Sequence, residues 1–456
     1  MTNLDLLSRF RRVAQTQPSR RALLEAIVAE AEARGIPCYL VGGAVRDLLR
    51  EDPSARRSDQ RSDPHAESAV GTAIDIDIAL DGDALALAAV VAARLGATHH
   101  AHQNFGTATL ELGGSRIDLS RTRREHYERP GALPQVEPAA IDEDLARRDF
   151  TVNAMALVLA VPPSNAARLQ PGTLLDPFAG VADLDRALIR TLHDASFQDD
   201  PTRLIRACRY AARLDGRFAA TTARAARRDL EFVRRLSDGR FGDAWRLLLR
   251  DPAASVALGQ ARRLKLGQAW LPGWRVTPIL AAQHDPAVAR NWGVDVAEFY
   301  WALTGLTASS AAPLDAIPQR CTLTRGERQA LGAGRSLRAA KPRIARRATP
   351  LSRVSAVLRR EPLAATAAAC MIWRGVAGHR SEAFFDAWRY VESPLSVHRL
   401  TELGVASGPD IGAWLSALRD AVLDGHLPTE GSAEAERWIQ SRNGAPPPAR
   451  AALARH

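Results

Sequence analysis

Residues 74–79 read Ile-Asp-Ile-Asp-Ile-Ala, a strict alternation of apolar and acidic side chains until the last position. A helix, with its period of 3.6, would scatter both kinds around its surface, whereas a strand sends every second residue to one face. The pattern predicts a strand over 74–80, with Ile74, Ile76 and Ile78 buried and Asp75 and Asp77 sharing the opposite face. Their Cα atoms would stand roughly 6.6–7 Å apart. Like charges so placed repel and add little to a sheet. The pair is therefore either an exposed acidic face or a site holding one or two hard cations between its oxygens. Magnesium prefers such oxygen ligands and is commonly shared with substrate phosphates, so it is the expected cofactor. Asp75 and Asp77 are the candidate catalytic and metal-holding residues.

The rest of the chain bounds what such a site serves. Its 456 residues suggest two to four domains, and 46% hydrophobic with 25% charged residues is ordinary globular composition, enough for a core without staples. The net charge of +10, carried almost wholly by Arg, suits phosphate-bearing partners, or a generically basic protein. Cys38, Cys208, Cys321 and Cys370 are too dispersed for a metal site or a disulfide framework; they read as reduced and mostly buried, which fits the cytoplasm. Asp, Arg and Gln interrupt the first 21 residues, so no signal peptide is expected. No uncharged apolar run reaches the length of about 18 residues that a membrane span needs.

Residues 1–35 read as helical, with Gly35 as a stop signal. An apolar strand over 38–41 ends at Gly42-Gly43, and a helix over 44–49 follows. The polar stretch 50–72, with Pro53, Pro64 and Gly71, reads as a long loop or disordered insertion. A helix over 83–95 precedes strands over 107–112 and 116–119, joined by the hairpin signal Gly113-Gly114. The fold class is α+β, with a mixed sheet in the first 160 residues or so and helices dominating from about 197. Residues 443–450 read as frayed, and no internal repeat is present.

Gly42-Gly43 lets the backbone approach a triphosphate, the following helix offers free N–H groups, and Arg46 lies one turn in. The glycine spacing is that of neither a P-loop nor a dinucleotide fingerprint, and alone it would be a turn. Strand, Gly-Gly, helix and Asp-x-Asp strand together are more specific. In this combination the chain resembles the tRNA nucleotidyltransferase and bacterial poly(A) polymerase family, the second class of polymerase-beta-like nucleotidyltransferases. The resemblance continues through Phe105-Gly106-Thr107-Ala108, Arg123-Arg124-Glu125-His126-Tyr127 and Asp144-Leu145-Ala146-Arg147-Arg148-Asp149-Phe150-Thr151-Val152-Asn153-Ala154-Met155-Ala156. It ends with Asp199-Asp200-Pro201-Thr202-Arg203-Leu204-Ile205-Arg206-Ala207-Cys208-Arg209-Tyr210, and spans roughly 36–250.

The resemblance implies a polymerase-beta-like nucleotidyltransferase head over 36–160, preceded by a helical segment over 1–35. A nucleotide-selecting helical neck would follow over 161–250, and a helical RNA-binding body and tail over 251–456. It implies that Asp75 and Asp77 hold magnesium, that Gly43 and Arg46 meet the incoming nucleotide, and that Arg148, Asp149 and Asn153 contact its ribose and phosphates. Without it, Arg148 would read as a surface ion-pair partner of Asp149. Asp118, on the hairpin strand, is either a third carboxylate or an ordinary acidic residue near a hairpin end.

The stretch 201–214 reads as a helix opened by Pro201, with Leu204, Cys208 and Ala211 as its buried stripe. Arg203, Arg206 and Arg209 fall elsewhere on it, and with Arg213 they repel one another unless anions lie nearby. They form either a solvated basic face or a binding face. In the second reading Asp200 accepts from, and Arg203 donates to, the Watson–Crick edge of cytosine or adenine. The resemblance implies that this pair is an amino-acid template and that Arg206 and Arg209 hold the triphosphate, although the family often has Glu where this chain has Asp199.

The expected reaction is attack of an RNA 3′-hydroxyl on the α-phosphorus of CTP or ATP, releasing pyrophosphate. The expected partners are tRNA, or another RNA 3′ end, with CTP and ATP, and no membrane. Addition of CCA, CC or A to tRNA leads; poly(A) polymerase and an inactive RNA-binding protein are the rivals. His284-Asp285 lacks the companions of a phosphohydrolase site, and His99, His100 and His102 read as a loop or strand face rather than a metal centre. Trp270, Trp274, Trp292 and Trp301 read as core anchors, and 335–347 as a phosphate-backbone contact. The resemblance implies that this second half grips tRNA by shape.

Overall fold

The computed structural model describes residues 3–15, 17–50, 76–161, 170–280, 292–309, 312–405, 408–429 and 432–442. Asp75, residues 51–72, His284-Asp285 and 443–450 lie outside the described residues. The chain divides into two compact units, 1–237 and 238–456.

The first unit opens with helices α1 (Asn3–Gln15) and α2 (Pro18–Ala33). Then come β1 (Cys38–Val41), α3 (Gly43–Arg50), β2 (Ile76–Leu80) and α4 (Ala84–Leu95), the last capped by Asp83 and stopped by left-handed Gly96. Strands β3 (Thr98–His102), β4 (Thr107–Leu112) and β5 (Ser115–Arg121) follow. A small hairpin, β6 (Arg123–His126) with β7 (Gln135–Pro138), leads into α5 (Ile141–Ala146), β8 (Ala156–Ala160) and β9 (Leu174–Leu175). Seven strands form one sheet in the order β3-β4-β5-β2-β1-β8-β9. It is mixed because β2 runs parallel to β5 while β1 is antiparallel to both β2 and β8.

The alternation in β2 sorts its side chains as the sequence demands. Ile76, Ile78 and Leu80 enter the main core with Leu6, Phe10, Leu23 and Ile27 of α1 and α2 and Leu87 and Val91 of α4. The N-terminal helices are thus part of the head's core. On the other sheet face Ala79 joins Tyr39, Val41, Ala156 and Val158 under Ile141 and Leu145 of α5. That cover does not reach Asp77, which stays exposed between buried neighbours. Edge strand β3 has no apolar alternation to announce it; every residue of it is exposed.

After helix α6 (Gly180–Asp185), helices α7 (Ser196–Asp199) and α8 (Thr202–Arg213) complete the part of this unit that concerns the site. Leu204, Cys208 and Ala211 are buried, as their spacing predicts.

The described elements of the second unit are helical. Its helices Val296–Thr307 and Arg325–Ala345 meet at two glycines: a Cβ on Gly305 would stand 2.2 Å from Leu331 O, and one on Gly334 2.1 Å from Ala302 O. Phe241 stacks on Trp270 at 4.3 Å and on Trp245 at 5.6 Å, and Trp274 packs against Trp301 at 6.0 Å. Trp270, Trp274 and Trp301 are buried core residues, and Trp292 stacks on Phe385 at 4.8 Å. Among the described residues no helix is long and apolar enough to cross a membrane. All four cysteines are buried and none is in a disulfide.

Candidate active site

The open sheet face carries a polar row. Asp77 on β2 stands in register with Asp118 on β5, Asp118 with Thr109 on β4, and Thr109 with His100 on β3. Asp118 is held from two sides: Thr109 donates to its Oδ1 at 2.5 Å, and Arg116 Nη2 reaches its Oδ2 at 3.0 Å. His99, His100 and His102 lie exposed on the edge strand. Among the described residues no group of three or more His, Cys, Asp and Glu is gathered as a metal site. The expected partner of Asp77 and Asp118, Asp75, falls outside them.

The glycine turn closes the next edge of the site. Gly42 adopts φ +71°, which favours glycine, and a Cβ there would meet Arg148 Nη1 at 2.9 Å. Gly43 begins α3 directly below the Arg46 guanidinium, 3.4 Å from its Nη2 for an added Cβ. Arg46 is buried, donates to Asn153 Oδ1 at 2.7 Å and pairs with Asp47 at 2.8 Å. Asn153 in turn donates to Asp149 Oδ1 at 3.0 Å, and Arg206 reaches Asp149 Oδ2 through Nε at 2.8 Å and Nη2 at 2.5 Å. A continuous lock, Arg46–Asn153–Asp149–Arg206, therefore runs from the turn to α8. Three guanidinium groups, of Arg46, Arg206 and Arg209, lie 5.2, 5.4 and 5.3 Å from the centroid of the Tyr210 ring.

Burial alone would raise the Asp149 pKa, but the Arg206 guanidinium and the Asn153 amide hold its carboxyl below the ordinary carboxylate range. Arg206 is correspondingly pushed up, chiefly by Asp149. The alternative pairing of Arg148 with Asp149 does not occur. Arg148 turns back one helical turn to Asp144, at 2.9 Å, and Asp149 is taken by Arg206 from another element. The mutual repulsion of the α8 arginines is relieved in the same way, by Asp149 and the Tyr210 ring.

Arg203 is the exception to the simple helical wheel: it is buried, because Ser196 and the Arg147 peptide draw it inward. Its Nη1 donates to Ser196 Oγ at 2.7 Å and its Nη2 to Arg147 O at 2.6 Å. Asp200 Oδ1 accepts from the Thr202 N–H at 3.0 Å and from its hydroxyl at 2.7 Å, pinning the start of α8. Glu125, in hairpin strand β6, accepts from Arg147 Nη1 at 2.7 Å, from Arg123 Nη2 at 3.1 Å and from the Tyr127 hydroxyl at 2.9 Å. The sequence reading assigned no role to Asp144, Glu125, Ser196 or Tyr210. For Asp144 the signal was present: it precedes Arg147 and Arg148 by three and four residues, the helical contact spacing. Ser196 carries no such signal, since only the tertiary fold brings it to Arg203.

In the second unit, a groove is lined by Arg343, Arg347, Arg353, Arg360, Arg419 and Arg442 among other residues. The basic stretch 335–347 divides between two tasks: Arg335 pairs with Asp315 at 3.0 Å, whereas Arg343 and Arg347 face this groove.

Residues 38–190 match the poly(A) polymerase head domain. An A-adding tRNA nucleotidyltransferase of Aquifex aeolicus is 35% identical over 240 residues, 52% of this chain and 26% of that protein. A CC-adding tRNA nucleotidyltransferase of Deinococcus radiodurans is 38% identical over 209 residues, 44% of this chain and 47% of that protein. The chain thus spans between a quarter and a half of the length of these two relatives. A solved apo structure of a CCA-adding enzyme superimposes with a TM-score of 0.72 at 25% identity, covering 94% of this chain and 98% of that one.

Proposed function

We propose that the chain is a member of the class II tRNA nucleotidyltransferase and bacterial poly(A) polymerase family, which its head-domain match and its relatives support, and that it adds cytidine and/or adenosine nucleotides from CTP and ATP to the 3′ end of tRNA. The observation that carries this reading is the lock Arg46–Asn153–Asp149–Arg206, buried except at its half-exposed Arg206 end. It joins a phosphate-approaching glycine turn beside two carboxylates to an arginine helix that begins with Asp200 and Arg203.

The donors of the open sheet face fit a hard cation, since Asp77 and Asp118 offer only carboxylate oxygen. Magnesium held by Asp75, Asp77 and Asp118 would neutralise charge on the reacting phosphate and lower the pKa of the attacking hydroxyl. The RNA 3′-hydroxyl releases its proton to solvent as its oxygen forms a bond to the α-phosphorus; the bond from that phosphorus to the oxygen bridging to the β-phosphate breaks, and pyrophosphate leaves with the electron pair. Gly42 and Gly43 admit the triphosphate close to the backbone, and Arg46 and Arg148 stand beside them. Arg206 and Arg209 face the leaving pyrophosphate, where fixed positive charge stabilises what develops. Asp149 and Asn153 orient the ribose.

Base choice falls to Asp200 and Arg203. Of the five N–H bonds of a guanidinium, Arg203 gives three to Ser196 and Arg147, which leaves two to donate to a base edge. A base whose edge does not match leaves buried donors unpaired, a penalty of roughly 1–3 kcal/mol for each group. In the second unit the arginine groove supplies phosphate contacts for the body of the RNA.

The test is extension of tRNA transcripts lacking one, two or three 3′ residues, with each nucleoside triphosphate supplied alone and together. Addition that stops after CCA, CC or A supports the reading and tells these apart. Long adenosine tracts on any RNA would replace it with poly(A) polymerase, the rival that shares this head.

A further inference from the structure

Asp144 is fully buried between the two arginines that follow it at spacings of three and four. Its Oδ1 accepts from Arg147 Nε and Nη2 at 3.0 and 2.6 Å and from the Arg123 backbone N–H at 3.2 Å. Its Oδ2 accepts from Arg148 Nε and Nη2 at 3.3 and 2.9 Å. The two arms lead to different parts of the site. Arg148 lies against the glycine turn, with its Nη1 2.9 Å from where a Cβ on Gly42 would stand. Arg147, held also by Glu125 at 2.7 Å, carries the carbonyl that accepts from Arg203 Nη2 at 2.6 Å.

A buried carboxylate loaded with charged donors on both oxygens cannot rotate without orphaning one of them, and in a low-dielectric setting that loss is expensive. Burial by itself would push the Asp144 carboxyl up, yet Arg148 and Arg147 hold it below the ordinary range, so it stays charged. The two arginines are therefore placed as one unit.

We propose that Asp144 is a positioning residue that couples triphosphate binding at the glycine turn to base choice at Arg203, by fixing Arg148 and the Arg147 peptide on one buried carboxylate. The inference rests on the reading of Arg148 and Arg203 as nucleotide contacts. Asp144 itself touches no substrate. Asparagine in its place keeps the shape but sets an NH₂ donor against a guanidinium, so one arm is released.

Steady-state kinetics of the full chain on shortened tRNA transcripts, with CTP and ATP, test the coupling in Asp144→Asn, Arg147→Gln and Arg148→Gln. Asp144→Asn is expected to raise the nucleotide KM roughly tenfold and to lower the ratio of correct to incorrect kcat/KM by about fivefold. Arg148→Gln should reproduce the KM rise with the ratio unchanged, and Arg147→Gln the loss of ratio with a smaller KM rise. A purely structural role scales kcat with the folded fraction and leaves KM and the ratio at their wild-type values, and that result overturns the proposal. Should Asp144→Asn not fold, the arginine variants decide: an unchanged ratio in Arg147→Gln is equally fatal. A wild-type chain that transfers neither nucleotide to tRNA brings down the functional reading, and the inference with it, before any variant is compared.

Discussion

The two units use arginine in opposite ways. In the head, Arg46, Arg147, Arg148, Arg203 and Arg206 are drawn inward and locked to Asp47, Asp144, Asp149, Glu125 and Ser196 around one turn. In the second unit Arg246 is tied to buried Glu327 at 2.8 Å, within a capping box closed by Thr324, while Arg343, Arg347, Arg353 and Arg360 stand exposed along a groove. Interlocked guanidinium groups recognise one small ligand through fixed geometry; exposed ones recognise a polyanion through charge and tolerate many poses. The difference predicts that head substitutions change chemistry and choice, whereas those in the second unit change stability or RNA affinity.

The carboxylate face is where that division should show most sharply. Asp75→Ala combined with Asp77→Ala is expected to reduce nucleotide transfer by about 10³-fold or more, while tRNA binding in a filter assay stays measurable. Near-normal extension by this double variant would remove the catalytic assignment and with it the contrast between the units.

Next in size is the central lock. Asp149→Asn leaves Arg206 without its counter-charge and should lower kcat/KM roughly 100-fold, with a loss of about 3 kcal/mol of head stability. The pH dependence follows from the same carboxylates. Asp144 and Asp149 both titrate below their ordinary value in the folded head. Their contribution is therefore complete above the unfolded carboxylate pKa of about 4 and is lost as the pH falls through the lower folded values. Thermal unfolding of the head followed downward from pH 6 should steepen below pH 4, and Asp149→Asn should flatten that slope. An equal slope in variant and wild type would show that the pair is not linked to folding.

In the second unit the equivalent substitution acts on stability alone. Glu327→Gln removes the charge opposite Arg246 and weakens the capping box, at a cost of about 2–3 kcal/mol. Its signature is a lower unfolding temperature for the helical unit with nucleotide KM and base ratio unchanged. A shift in base ratio would mean that the two units are coupled in a way the contrast denies.

Legibility from sequence follows the same line. The alternation through Ile76, Asp77 and Ile78 fixed a strand and its faces because a two-residue period has one structural solution. The glycine turn and α8 were legible because left-handed φ at Gly42 and the Leu204–Cys208–Ala211 stripe leave local marks. Edge strand β3 left none, since a strand solvated on both faces needs no apolar period. The partner of Arg203 was illegible for another reason: only the tertiary fold brings Ser196 to it. For Arg148 the four-residue spacing to Asp144 was a mark, and what stayed open was the competing neighbour Asp149, which Arg206 takes from another element. The close crossing at Gly305 and Gly334 is likewise set by two helices meeting, which one helix's sequence does not announce.

The smallest expected effect tests the other side of the comparison. Arg343→Ala with Arg347→Ala removes two exposed charges from the groove without touching a buried partner. If the groove binds RNA phosphates, affinity for tRNA should fall about tenfold at moderate salt, and the slope of log affinity against log salt should drop by about 2. Nucleotide KM and base ratio should not move, because the lock around Asp149 is untouched. An unchanged salt slope would take these arginines out of RNA binding. A changed base ratio with an unchanged slope would instead mean that exposed and interlocked arginines do not divide the work between affinity and choice.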